Sequence, residues 1–553
     1  MRRRALFLLA LVVALVCLPP QWYPLPVRLQ LASWFGASSY QPLPPSRSKA
    51  GDAPEPACPP DLLGWRDAQT IEGVEIRRSP SCVADNPAAV AAFVRGTNKV
   101  SQQVLMDSGL TPDAVEKGRD LDGDGDPDKI VIRLEVAELN GGSPEALEPT
   151  TQFAIAPGIN PGFWVFAPKM FGMATETFES PNARAMLRLP SPAIRIEQGD
   201  QVKVILENGH YMPHTIHFHG VDHSFIDANG EGNDGVPITS EVPVLPGAAR
   251  TYELSPRQAG TMFYHCHVQT HVHFMMGLQG LFVVEENRPN NWLQTLNVGS
   301  GLVRHPSAAV RDEFDQEYDI HYLDVDADLN NRIQAHNDPR LITESMHRRY
   351  DITEARSDFF TINGRSFPYS FRESLVVVKP DERVKLRVAN GGNTGIALHT
   401  HGHKTTITHY DGVAAQAGAQ ITRDVVWIAP SQRVDLALDT TDDGLHAYGR
   451  GVWLFHDHQG KRVTNDGIGP GGNISAIVYE SFLGPDGWPK TRGMAWDEFF
   501  TEAYYRKERP VWESYAPGLF SDAGVDKWAF ARLLGLALAI GVMVALVFDR
   551  REP

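Results

Sequence analysis

The chain has 553 residues, 42% of them hydrophobic, enough for two or three domains with buried cores. Its formal net charge of −16 argues against nucleic acid as a partner and is compatible with cationic substrates.

Arg2, Arg3 and Arg4 precede an apolar run from Ala5 to Leu18. That run fits a signal-peptide core of roughly 7–15 residues. No clear A-x-A site follows, so an uncleaved anchor over 1–18 is the alternative. Residues 19–57 are Pro/Ser-rich and read as a linker. Residues 58–128 form a partly helical N-terminal region, with PAAVAAFVRGTNKVSQQVLMDSG as its helical stretch. Of four cysteines, Cys17 lies in the first apolar run, and Cys58 and Cys82 are expected to pair in an oxidising compartment, two unpaired thiols being the alternative. DLDGDGDPD, from Asp120 to Asp128, places carboxylates at alternate positions, where they can converge on calcium. An EF-hand counted from Asp120 would need an acid at 131, where the chain has Val131, so a solvated acidic turn competes with that reading.

From 129 onwards short Val/Ile/Leu runs alternate with turn signals, and SPAIRIEQGDQVKVILENG is typical. That pattern predicts β-sandwich domains. The expected bounds are 129–287 and 315–483, joined by a linker over 288–314. Residues 484–527 are aromatic-rich (Trp488, Trp496, Tyr504, Tyr505, Trp512) and are expected to pack on the body or at a membrane surface. Trp528 to Phe548 has about the ~20 apolar residues that cross a bilayer. Its one charge, Arg532, sits near an edge, and Arg550 and Arg551 follow, placing that end in the cytoplasm. A buried core helix is the alternative. The expectation is a transmembrane helix over 528–548, with the body on the extracytoplasmic (periplasmic or external) side of the cytoplasmic membrane.

The chemistry is concentrated in HCHVQTHVHFMM, which holds His265, Cys266, His267, His271 and Met276. A thiolate, an imidazole five residues on and a thioether five beyond that suit a blue-copper centre of two His, one Cys and a long axial Met. Neighbouring strand residues point to opposite faces. If Cys266 faces one copper, His265 and His267 can face another metal, and a few covalent bonds then wire the two. HTIHFHG adds His214, His217 and His219; ALHTHGH adds His399, His401 and His403; LFHDHQG adds His456 and His458. Four H-x-H pairs (217/219, 265/267, 399/401, 456/458) offer eight imidazoles, enough for a three-copper cluster that binds dioxygen. His214 is left over as the second equatorial ligand of the blue copper.

Over residues 130–480 the chain resembles the multicopper oxidases, the laccase, ferroxidase and ascorbate oxidase group. HTIHFHG looks like that family's H-x-x-H-x-H motif and HCHVQTHVHFMM like its H-C-H-x3-H-x4-M motif. The family's usual Gly before the axial Met is absent, and Met275 rivals Met276. The second half resembles the same module after losing its blue copper: Ile396 stands for His214, Asp457 for the Cys and Arg462 for the following His. This pattern is similar to two-domain members with one blue copper in the first domain. That resemblance implies an all-β fold of two cupredoxin-like Greek-key β-sandwich domains and a homotrimer, with the cluster between subunits. It implies four coppers per chain: type 1 on His214, Cys266, His271 and Met276, and one type 2 and two type 3 on the four pairs, with His217 and His399 as type 2 ligands. Asp411 resembles the acid that follows the family's first H-x-H motif, and Asp234 holds the matching place in the first half; each is a candidate proton relay, with an ordinary turn carboxylate as the alternative.

The expected reaction is one-electron oxidation of a reductant at the edge of His271 or His214, transfer through Cys266 to His265 or His267, and reduction of dioxygen to water. Phenols, metal ions and a redox protein all remain open as the reductant. A copper nitrite reductase would need only one His beside the Cys, so His267 and the second-half pairs argue against it. A membrane-anchored electron-transfer or accessory subunit is the third reading.

Overall fold

The computed structural model of the chain describes residues 68–71, 74–76, 87–141, 153–171, 187–484, 487–492 and 496–506, with 531, 533–538, 540–542 and 544 near the C-terminus. Ala53–Tyr505 is one compact unit.

The first half of that unit is two facing five-stranded sheets. One carries Val115–Lys117, Lys129–Leu139, Phe163–Pro168, Gln201–Glu207 and Ala249–Leu254. The other runs in the order Leu296–Asn297, Ala193–Glu197, Gln279–Glu285, Gly260–His265, His217–His219. Gln201–Glu207 shows why a sandwich forms: Val202 and Val204 are buried while Gln201 and Lys203 are exposed, the period-two alternation of a strand with one face on a core. The second half repeats the plan with an eight-stranded and a five-stranded sheet, the latter ordered Val376–Val378, Ile474–Tyr479, Val452–Asp457, Ile396–Thr400, Val425–Ile428.

The all-β expectation is corrected: the fold is a mixed one, cupredoxin-like sheets combined with helices. Pro87–Val94 and Gln102–Ser108 precede the first sandwich, Ala308–Glu313 lies between the halves, and a helical insertion with Pro339–Glu344 separates strands Gln316–Val325 and Phe359–Ile362. These segments have no strand alternation; Ala88 to Val94 are buried in succession. The stretch 288–314, expected as a linker, is built in: Leu296–Asn297 pairs with the first half and Gly301–Leu302 with the second.

The expected membrane helix is corrected too. Among the described residues no helix is long and apolar enough to cross a membrane. Of 528–548, residues 531, 533–538, 540–542 and 544 are helical and the others lie outside the described residues. An apolar composition does not by itself supply the continuous helix of ~20 residues that a bilayer requires. Membrane attachment and the extracytoplasmic placement rested on that span and are withdrawn with it. Segments 1–18 and 19–57, with Cys17, Cys58, Cys82 and Trp512, lie outside the described residues.

A buried charge network joins the halves. Arg195 of the first half donates to Asp319 of the second at 2.8 Å. Arg387 of the second donates to Glu285 and to Thr261 Oγ1 of the first at 2.9 and 2.8 Å, and also binds Glu317 and Asp435. Thr261 and Glu285 lie on the two strands that flank the Cys266 segment, so this seam fixes the strand leading into the metal ligands.

Candidate metal centres

His217 pairs with His265 across neighbouring antiparallel strands, and His219 lies opposite Phe263. Residues two apart share a strand face, so His217 and His219 present their rings together. His219 Nε2 and His265 Nε2 stand 2.9 Å apart. His267 closes the set, its ring centroid 5.4 Å from that of His217. The far nitrogens are anchored: His217 Nδ1 on the Asp234 carbonyl at 2.7 Å, His265 Nδ1 on the Cys266 carbonyl at 2.9 Å. The loop bearing Asp234 closes onto this strand because Gly235, at φ +76°, has no Cβ; one would lie 2.0 Å from the Ile216 carbonyl oxygen.

Cys266 points the other way, into the core. Its Sγ lies 3.7 Å from His214 Nδ1 and 3.4 Å from His273 Nδ1, and all three residues are fully buried. Met276 and Met275 lie in the same core, Met276 fully buried. This corrects the expected ligand His271, which is exposed and outside the cluster. Gln269 turns the chain at φ 43° into the one-turn helix Thr270–His273, and helical residues two apart do not share a face. With His273 on Cys266, His271 is turned to solvent. Behind each inner imidazole stands another: His210 Nδ1 is 2.9 Å from His214 Nε2, and His347 Nε2 is 3.3 Å from His273 Nε2. Trp164 sets its ring edge against His210, His214 and His273, its indole N–H held by Glu138.

The second half repeats the first set. His399 pairs with His456, His401 Nε2 lies 3.1 Å from His456 Nε2, and the His458 ring is 5.4 Å from that of His399. His399 Nδ1 rests on the Asp424 carbonyl at 3.0 Å, so Asp424 does for His399 what Asp234 does for His217. Sequence reasoning missed Asp424. Asp411 is elsewhere: it takes Arg433 Nη1 at 3.0 Å and caps a turn at φ 50°. Among the described residues no metal-capable group and no ring contact mixes the two sets of four histidines. Where the first half has its thiol, Asp457 is fully buried and bound to Arg462, which reaches Asp324 at 2.7 Å. An ion pair stands where the first half has its thiol and imidazoles.

Burial, reinforced by neighbouring histidines, pushes His219 down to about 4 and His265 to about 3, and lowers His214, His273, His401 and His456. These rings are therefore neutral near pH 7, the form that ligates metal. Burial raises the Cys266 thiol to about 12, so a metal cation must supply the drive to ionise it. One thiolate with two imidazoles, beside converging imidazole nitrogens, is a donor set that fits copper. Separately, Asp120, Asp122 and Asp128 bring carboxylate oxygens within 4.8 Å of one another in the loop expected to bind calcium.

Sequence profiles of the multicopper oxidase family match residues 186–289 and 341–466. Curated relatives include an iron transport multicopper oxidase of Saccharomyces cerevisiae, 24% identical over 46% of this chain and 34% of its own length. Laccase-7 of Oryza sativa is 27% identical over 48% of this chain and 42% of its own length. The chain thus spans about a third to two fifths of these relatives. Among solved structures, the blue copper oxidase from Nitrosomonas europaea is 24% identical and matches 69% of this chain and 93% of its own, at a TM-score of 0.48. The stretches similar to the multicopper oxidase family, 186–289 and 341–466, carry every imidazole and the thiol of the three groups that could hold a metal.

Proposed function

We propose that the chain is a copper oxidoreductase coupling one-electron oxidation of a reductant at a type 1 site to reduction of dioxygen to water at a trinuclear site. One observation carries this reading: Cys266 faces His214 and His273 in the core while its neighbours His265 and His267 face His217 and His219 on the other side. Copper bound there supplies one-electron transfer on the thiolate side and four-electron reduction of dioxygen on the imidazole side. The chain's own part is to hold the donors. Carbonyls of Asp234, Cys266, Asp424 and Asp457 fix one nitrogen of His217, His265, His399 and His456, leaving Nε2 free for metal. Asp234 Oδ1 lies 3.4 Å from His217 Nδ1 and 3.6 Å from His223 Nε2, which sets its carboxylate beside the imidazole group as a candidate proton donor to the site. Asp411, bound to Arg433, has no such contact, and its expected relay role is not supported.

Eight imidazoles are needed at one trinuclear site, and each half holds four that do not meet the other four. The two sets are therefore completed between copies of the chain. Exposed apolar residues near the half-sites support this: Ile238 and Val242 beyond Asp234, and Val425 and Trp427 beside His399 and Asp424.

The test is copper content with visible absorption and EPR, for wild type and Cys266→Ser, beside the molar mass in solution. Four coppers per chain in an assembly of copies, with a blue band lost in the variant and the remaining signals kept, is the expected result. About two coppers per chain without a coupled pair would sink the reading.

A further inference from the structure

Neither imidazole facing Cys266 reaches solvent. His214 and His273 are both fully buried, and His271, the ring expected to offer an exposed edge, lies outside the group. The far nitrogen of His214 leads to His210, itself buried behind Trp164, Tyr211 and Glu138. The far nitrogen of His273 leads to His347, which is half-buried. One route from the thiol to the surface thus runs Cys266, His273, His347, with gaps of 3.4 and 3.3 Å.

His347 is held where it is. Ile342, Met346 and Tyr350, four residues apart, bury one face of their segment in the core that contains Cys266 and Met276. Thr343 donates to Met212 Sδ at 3.0 Å, and Arg332 ties the Ser345 carbonyl at 2.8 Å. Residues Ser345–Arg349 form a π-helical turn, a rare geometry often found at functional sites. This turn rotates His347 onto His273, with ring centroids 5.5 Å apart at 31°.

We propose that His347 positions His273 as a copper ligand and is the residue through which an external one-electron donor communicates with the type 1 site. His273 binds through Nδ1 and donates its Nε2–H to His347 Nε2, which carries its own proton on Nδ1. A copper held by these residues would supply the one-electron couple that takes up the donor's electron, and no proton would leave either ring. The inference rests on reading Cys266, His214 and His273 as the type 1 site.

The experiment uses the copper-loaded full chain with His347→Ala, His347→Gln and His273→Ala. Two quantities are read: retention of the blue band against a copper chelator, and the anaerobic rate at which hexacyanoferrate(II) bleaches it. His347→Ala should weaken type 1 copper binding and slow bleaching, each by roughly 10-fold, the scale at which partners of metal-ligating histidines act. His347→Gln, whose carbonyl can accept the same hydrogen bond, should restore binding but not the bleaching rate. Wild-type binding and bleaching in His347→Ala would overturn the proposal. A blue band that survives His273→Ala would instead refute the underlying site, whatever His347 does.

Discussion

Arg387→Met should be among the most damaging substitutions outside the metal centres. The Arg387 side chain is 2% exposed, and it meets Glu285, Glu317 and Asp435, whose side chains are 4, 0 and 1% exposed. Buried charges of this kind are tolerable only while paired, and removing one partner strands the others in a medium that solvates them poorly. Arg195 stays 3.5 Å from Glu317 and 3.8 Å from Glu285, and Lys385 3.5 Å from Asp435, but Arg195 makes its close pair with Asp319, so two cations are left for four buried carboxylates. The expected loss is ~3–5 kcal/mol, the range for breaking a buried pair. For a unit spanning Ala53–Tyr505 that is a drop in Tm of roughly 3–5 °C. Scanning fluorimetry of the apoprotein measures it, with Arg340→Met, whose guanidinium is 89% exposed against Asp338, as a control that should not move. Adding Glu317→Gln to Arg387→Met should recover part of the loss, because the stranded carboxylate is then neutral. A shift in Arg387→Met no larger than the control would refute the reasoning.

Three further outcomes are expected. His273→Ala should abolish the blue band and His271→Ala should keep it; the reverse would restore the sequence-based ligand. Arg462→Leu alone should destabilise by ~3–5 kcal/mol, read from the urea midpoint, because it leaves Asp324 and Asp457 buried without a cation. Neutralising all three together should recover most of that, and equal single and triple variants would count against the ion-pair account. Asp200 is pushed up to about 8 by burial, with Asp128 and Asp126 adding to the shift. A carboxyl raised above its unfolded value of about 4 contributes stability below that pH and loses it as pH rises through about 8. Asp200→Asn should therefore flatten the fall in Tm between pH 5 and 9, measured with chelator present; an unchanged slope would exclude Asp200 as its source.

The ligand pairs were legible because H-x-H is read by the strand period alone: 217/219 and 399/401 each share a face whatever the loops do. His273 was not, because a one-turn helix begins at Gln269 and decides which of two histidines turns inward. His347 lies 74 residues from its partner, inside a helical insertion that no local pattern connects to Cys266. Asp424 becomes visible only through the register that sets Val425 opposite His399. The helices were underread because the expectation was set by the strand-rich halves; the C-terminal span was expected from composition alone, and among the described residues no helix is long and apolar enough to cross a membrane.

The ion pair in the second half constrains what that half can become. Building a thiol–imidazole site there by single steps would either set a thiol beside a buried guanidinium that keeps only Asp324, or remove Arg462 and leave two bare carboxylates. Each first step disturbs a buried charge balance. Ile396, fully buried, would in addition have to give way to an imidazole. The buried charge thus acts as a lock, and the second half can offer histidines without offering a thiol beside them.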